Sequence, residues 1–325
     1  MRVPERNYAC RPNFMHAPLI VLIGPTAVGK TEIAIQLAER LKGEIVSADS
    51  RLFYRGMDIG TAKPTRAEQQ RVPHHLIDVA DPDEALSLAV FQKAAWQKIE
   101  DIHQRKHLPF LVGGTGQYVQ AVTQTWEIPA VKPDYRLRDA LEKWTREIGP
   151  MGLHDRLAVI DPIAAEKIDW RNQRRTVRAL EVIFSSGERF SEQRKRAEPR
   201  YPTIQIGLYR SRTELYTRID TRIQEMIDRG FVDEVRSLLQ KGYAQNLPTM
   251  SAIGYREMFA YLQGEISLGE AITIMKRKTR VLVRRQANWF KQNDEAIHWF
   301  IADDSAVDGV EALLHSWLKE NSIRV

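Results

Sequence analysis

The first clear hydrophobic feature is the uninterrupted apolar run Leu19–Ile23, closed by Gly24. It is too short for a helix and predicts a buried strand. An amphipathic pattern from Lys30 to about Leu41 predicts a helix, and Glu44–Ser47 a second strand after Gly43. A polar stretch containing glycine and proline then runs from Arg55 to Pro73. Between Ser87 and about Arg105, Leu88, Phe91, Ala95, Ile99 and Ile102 recur at helical spacing. Pro109–Val112 predicts a third buried strand, ending in Gly113-Gly114. Strands and helices that alternate in this way imply an α/β fold, a parallel sheet covered by helices on both faces.

Between Pro129 and Pro202 the pattern changes to helices alone: Asp134–Glu147, Gly152–Ile160, Pro162–Ile168 and Asn172–Ser185. Prolines at both ends mark this stretch as an all-helical insertion. Thr203–Tyr209 then predicts a strand, and Glu214–Gln240 one long helix ended by Gly242. Helices follow at Tyr255–Leu262 and Leu268–Gln292, then a strand at Ile297–Ile301 and a closing helix at Val307–Leu318. The expected organisation is a flexible extension over 1–16, a core made of 17–128 and 201–325 with its C-terminal helices, and a helical insertion domain over 129–200.

Composition narrows the class. The 325 residues are 43% hydrophobic and 28% charged, the ordinary globular mix, which excludes disordered, collagen-like and coiled-coil chains. No apolar run approaches the ~20 residues of a membrane span, so no membrane partner is expected. The first 16 residues carry Arg2, Glu5, Arg6 and Arg11 without an apolar core, unlike a secretory signal. Cys10 is the single cysteine, which excludes an intrachain disulfide and any Cys-based zinc site. A reducing, cytoplasmic setting and a monomeric state are the expectations.

The net charge of +6 matters less than its distribution. Nine basic residues face four glutamates from Arg171 to Arg200, and seven basic residues face no acid from Ala271 to Lys291. Such excesses fit a polyanion partner, although solvated helix faces explain them equally well.

Gly24-Pro25-Thr26-Ala27-Val28-Gly29-Lys30-Thr31 fits the phosphate-loop pattern in its required context, between a strand and a helix. Backbone N–H groups of such a turn point inward at a phosphate, and the following helix adds its positive end. Lys30 supplies a cation and Thr31 a hydroxyl for Mg2+. A nucleotide hydrolase of this class normally adds a strand-end aspartate, yet Phe110-Leu111-Val112 runs into Gly113-Gly114-Thr115-Gly116. The strand-end carboxylate is Asp49, which should face the phosphate loop with Thr115, as a metal holder, a general base or a simple cap. His74-His75 point to opposite faces of an extended segment and read as structural. Arg218 and Arg222 share one helix face and could converge on a diphosphate. Arg284, Arg285 and Trp289 combine charge with an aromatic face, as a single-stranded nucleic-acid surface would.

Several of these segments closely resemble the tRNA dimethylallyltransferase (tRNA isopentenyltransferase) family, in its bacterial type. They are Gly24–Thr31, Asp49–Pro64, Val72–Asp78, Gly113–Tyr118, Arg178–Val182 and Ile253–Glu257. The resemblance implies transfer of a dimethylallyl group from dimethylallyl diphosphate to the exocyclic amine of the adenosine just 3′ of a tRNA anticodon. It implies a diphosphate and Mg2+ on Thr26–Thr31, Asp49 as the base, Thr115 positioning it, and Arg136 and Arg222 on the reacting groups. It also implies tRNA contacts at Asp49, Ser50, Arg51 and Leu52, at Arg174, Arg175, Thr176, Val177 and Arg178, and at Ser251, Ala252, Ile253, Gly254, Tyr255 and Arg256. A further set is Arg284, Arg285, Gln286, Trp289 and Lys291. Two positions depart from the family's pattern: Leu52 stands where many members have Gln, and Asn172 where Asp is common. Three other readings remain at this point: a small-molecule kinase, an adenylate isopentenyltransferase, and a non-catalytic RNA-binding module.

Overall fold

A computed structural model describes residues 17–84, 86–128, 134–193 and 198–322. The expected extension over 1–16 lies outside the described residues. In chain order the first elements are β1 (Leu19–Ile23), α1 (Lys30–Arg40), β2 (Gly43–Ser47), α2 (Arg66–Arg71) and β3 (His74–His75). They continue with α3 (Leu88–Gln104), β4 (Leu108–Gly113) and α4 (Gly116–Thr123). Next come α5 (Tyr135–Ile160), α6 (Pro162–Lys167) and α7 (Gln173–Ser186). The last are β5 (Thr203–Tyr209), α8 (Arg212–Asp228), α9 (Phe231–Gln240), α10 (Tyr255–Leu262), α11 (Leu268–Gln286), β6 (Ile297–Ile301) and α12 (Ala306–Glu320).

The strands form one six-stranded parallel sheet in the order β3-β2-β4-β1-β5-β6. Every residue of β1 and β2 is buried, the unbroken apolar β1 as a central strand requires and β2 with Glu44 and Ser47 among its buried residues. In register, Ile23 at the end of β1 stands beside Gly113 of β4 and Gly207 of β5. The turns after β1, β2 and β4 therefore emerge together at one end of the sheet, the end where parallel α/β sheets place their ligands.

The chain divides into two compact units, one holding the sheet and the other spanning Gln124–Glu198, against the 129–200 read from sequence. The named elements of the second unit are the helices α5, α6 and α7. Its core is built from Leu141, Leu153, Leu157, Ala164, Ala165, Ile168, Val177, Ala179, Leu180 and Ile183. The buried Glu181 accepts from the Asp134 amide, from Arg138 and from Arg178 at 2.8–2.9 Å, tying the start of α5 to α7. Asn172, the departure noted above, caps α7 by accepting from the Arg175 amide. Gly149, at φ 76, interrupts α5 just before Pro150, so the two helices read there are separate.

Two sequence expectations need correction. The single helix expected over Glu214–Gln240 is two helices, because Gly230 turns the backbone to φ 90, a left-handed conformation a helix cannot contain. The helix expected to run to Gln292 ends at Gln286. The periodicity revealed neither α2 nor α4; α2 is six residues long and buries none of them.

Candidate active site

Three basic side chains bond the carbonyls of the phosphate loop. Ala27 lies at φ 68, an uncommon conformation for a residue with a Cβ. Its carbonyl accepts from Arg218 Nε at 2.8 Å, and the Val28 carbonyl accepts from Arg210 Nε at 2.9 Å. Lys30 Nζ donates to the carbonyls of Gly24 and Pro25 at 2.9 and 2.8 Å, folding its ammonium over the loop. Burial pushes the Lys30 pKa down to about 8, opposed by Asp49 and reinforced by Arg222. Arg222 is also pushed down, first by burial, with Asp49 opposing. Asp49, Lys30 and Arg222 thus share one electrostatic neighbourhood at the sheet's C-terminal end. Thr31 is exposed in the first turn of α1.

Asp49 follows β2 directly, and its Oδ1 accepts from the Arg51 amide at 3.0 Å. The Thr115 carbonyl accepts from Tyr118 and Val119, so Thr115 starts α4 beside the turn after β4. Tyr118 was missed by sequence reasoning. It packs its ring against Phe91 and Phe53, with centroids 4.7 and 5.7 Å away. Burial, Tyr54 and Asp49 drive its phenol up to about 12, against Arg51, so it stays a proton donor at neutral pH.

The segment from Asp49 to Pro64 is fastened at several points. Arg51 donates to the Thr249 carbonyl at 3.3 Å. Glu234 accepts from the amides of Asp58, Ile59 and Gly60 at 2.9, 2.7 and 3.2 Å, and from Tyr255 Oη at 2.6 Å. The buried Lys63 donates to the Tyr54 carbonyl and to one oxygen each of Asp58 and Asp78. No sequence pattern pointed to Glu234 or Lys63 in these roles.

Several residues expected at an RNA surface are buried or bonded within the fold. Thr176 and Val177 are buried in the helical unit, and Arg178 is bound to Glu181. Ala252, Gly254 and Tyr255 are buried, with Tyr255 committed to Glu234 and the Gly254 amide to Glu257. Gln286 turns inward: its Oε1 accepts from the Thr26 amide at 2.9 Å and its Nε2 donates to the Gly114 carbonyl at 3.1 Å. Arg174, Arg175, Ser251, Arg256, Arg284, Arg285, Trp289 and Lys291 are exposed, and Ser50, Arg51, Leu52 and Ile253 partly so. Arg136 is exposed in the first turn of α5, in the helical unit. His75 bonds to Glu44, and His74 to the Val72 carbonyl.

Among the described residues, no group of three or more histidines, cysteines or carboxylates could by itself hold a metal ion. No described helix is long and apolar enough to cross a membrane.

A family model described as IPP transferase matches residues 52–293. The tRNA dimethylallyltransferase of Roseiflexus sp. (strain RS-1) is 54% identical over 275 residues, 85% of this chain and 90% of the relative. That of Dehalococcoides mccartyi is 44% identical and covers 98% of both chains. Among solved structures, the full-length tRNA isopentenylpyrophosphate transferase of Bacillus halodurans is similar with a TM-score of 0.71 and 42% identity, over 94% of this chain and 98% of that one. A eukaryotic dimethylallyltransferase solved acting on tRNA is similar with a TM-score of 0.79 and 27% identity, over 95% of this chain and 80% of that one.

Proposed function

The chain belongs to the IPP transferase family, the tRNA dimethylallyltransferases, and from that premise we propose the following reaction. The dimethylallyl group of dimethylallyl diphosphate moves to the exocyclic N6 of the adenosine at position 37, 3′ of the tRNA anticodon. The products are N6-dimethylallyladenosine and diphosphate. The observation that carries this reading is the joining of Asp49 with Lys30 and Arg222 beside a phosphate loop. A carboxylate and two desolvated cations act on one another there.

The adenine amine is a weak nucleophile because its lone pair is delocalised into the ring. As the nitrogen–carbon bond forms, Asp49 takes the amine proton, with Thr115 positioning the amine. As the carbon–oxygen bond breaks, charge builds on the departing diphosphate. The loop amides from Thr26 to Thr31, the Lys30 ammonium and the Arg222 guanidinium stabilise it, with Arg218 holding the loop in shape. Arg136 of the helical unit is a further candidate for the reacting groups.

Mg2+ fits this donor set. It favours oxygen and is commonly held by one or two protein groups plus substrate phosphates, which suits the exposed Thr31 hydroxyl at the start of α1. When bound, it would neutralise charge on the diphosphate. On the acceptor side, Arg174, Arg175, Arg284, Arg285 and Lys291 are the exposed cations for the RNA backbone, with Trp289 available for stacking.

The deciding experiment incubates the protein with labelled dimethylallyl diphosphate, Mg2+ and unmodified tRNA, with AMP and ATP in parallel. Label at the base beside the anticodon supports the reading. Label only in the nucleotides would move the acceptor to adenylates, and no transfer to any of them would return the site to a kinase.

A further inference from the structure

Gln286 occupies the last turn of α11, next to the exposed Arg284 and Arg285. Its carboxamide links two turns that are far apart in sequence: the Thr26 amide of the phosphate loop and the Gly114 carbonyl beside Thr115. Only a side chain of this length with an acceptor and a donor at its tip meets both partners; glutamate lacks the donor and asparagine lacks a methylene. Two further contacts bind the same helix and its continuation to the donor site. Trp289 lies so close over Gly116 that a Cβ there would sit 2.3 Å from the ring. Arg280 holds both oxygens of Asp220 at 2.7–2.8 Å, midway along α8 between Arg218 and Arg222. Thus α11 and its continuation are fastened to the phosphate loop, to the turn before α4 and to α8, while Arg284 and Arg285 are exposed.

We propose that Gln286 is a positioning residue that couples RNA held by the exposed arginines of α11 to diphosphate affinity in the phosphate loop. The inference rests on the proposed activity. Gln286 occupies the Thr26 N–H, one of the amides a diphosphate oxygen would use. One N–H cannot serve both acceptors at full strength, because hydrogen bonds weaken steeply off their ideal geometry. RNA that draws the end of α11 outward frees that amide, and diphosphate affinity rises. By thermodynamic reciprocity, diphosphate raises RNA affinity by the same factor.

The test is calorimetric titration of inorganic pyrophosphate with Mg2+, with and without an unmodified anticodon stem-loop, on the wild type, Gln286→Ala and Gln286→Glu. In the wild type the stem-loop should tighten pyrophosphate by about fivefold or more, a typical coupling size. In Gln286→Ala the ratio should fall to about one, with stem-loop affinity alone unchanged. Gln286→Glu keeps an acceptor for Thr26 but adds a carboxylate beside the loop, and should weaken pyrophosphate with or without RNA. A merely structural role would lower thermal stability and leave the ratio intact. A wild-type ratio of one, or an equal ratio in wild type and Gln286→Ala, overturns the proposal. A wild type that binds neither pyrophosphate nor the stem-loop overturns the activity reading and this inference with it.

Discussion

The two ends of β2 carry charge in opposite ways. At its start, the buried Glu44 is saturated: Arg105 donates two hydrogen bonds, His75 and His107 each bond one oxygen, and all four distances lie between 2.6 and 2.9 Å. Burial alone would push this carboxyl up, but the bonds from Arg105, His75 and His107 hold it down at about 2. Beyond the other end, Lys30 donates to backbone carbonyls and, among the described residues, to no carboxylate, and burial depresses both it and Arg222. A saturated charge holds a fold together, whereas a desolvated and poorly compensated one is held ready for a ligand of opposite sign. The contrast separates a structural cluster from a reactive one without reference to any motif.

The most severe way to test the contrast is Asp49→Asn. It removes the base but little volume, so turnover should fall about 100- to 10,000-fold with tRNA affinity nearly intact. Unchanged turnover would remove Asp49 from the chemistry. On the saturated side, Glu44→Gln leaves Arg105 and two histidines without their anion and should cost about 3 kcal/mol of stability, read by urea unfolding. Turnover of the folded variant should be unaffected.

The pH response of the two ends differs in sign as well as position. Glu44 has a folded pKa of about 2 against an ordinary 4.5, so its contribution is complete above 4.5 and is lost as pH falls towards 2. Lys30 acts at the alkaline end. A bound diphosphate needs the ammonium, so affinity for dimethylallyl diphosphate should fall by up to about tenfold per unit above pH 8, with proton uptake on binding. Binding that stays flat from pH 7 to 9.5 would contradict the depressed Lys30. The smallest effect concerns RNA: neutralising Arg174, Arg175, Arg284 or Arg285 singly should lower the slope of log affinity against log salt by about 1. The buried Val177 offers the control, since its replacement by alanine should change stability and leave that slope alone.

What could be read from sequence follows the range over which the physics acts. The phosphate loop is local: eight consecutive residues define the turn, and its strand and helix flank it. The parallel sheet was also legible, because buried central strands have an unmistakable unbroken apolar pattern. The break at Gly230 was signalled by the glycine itself but overruled by amphipathic periodicity on both sides. Gln286, Glu234 and Glu44 were not legible, because their partners lie far away in the chain. The Thr26 amide is 260 positions from Gln286, and the Glu234 contacts span 174 to 176. A glutamine between an arginine and an alanine at a helix end carries no local mark of the direction it will face. Burial divides the expected RNA contacts for a related reason. A contiguous segment such as Arg174–Arg178 lies on a helix, where it winds around the axis, so some of its residues are buried and others exposed.

The stretch from Arg51 to Pro64 has no helix and only one isolated strand-like bridge, at Tyr54, yet Glu234 and Lys63 fasten it to a helix and to a neighbouring loop. Such a segment behaves as a gauge of fixed length. Inserting or deleting one residue between Asp58 and Gly60 would put the three consecutive amides out of step with the single Glu234 carboxylate, and the registration of Asp49 on the opposite side of Lys63 would be lost with them. Amide protons at Asp58, Ile59 and Gly60 should accordingly exchange with deuterium as slowly as those of a helix, in a segment that looks like open coil.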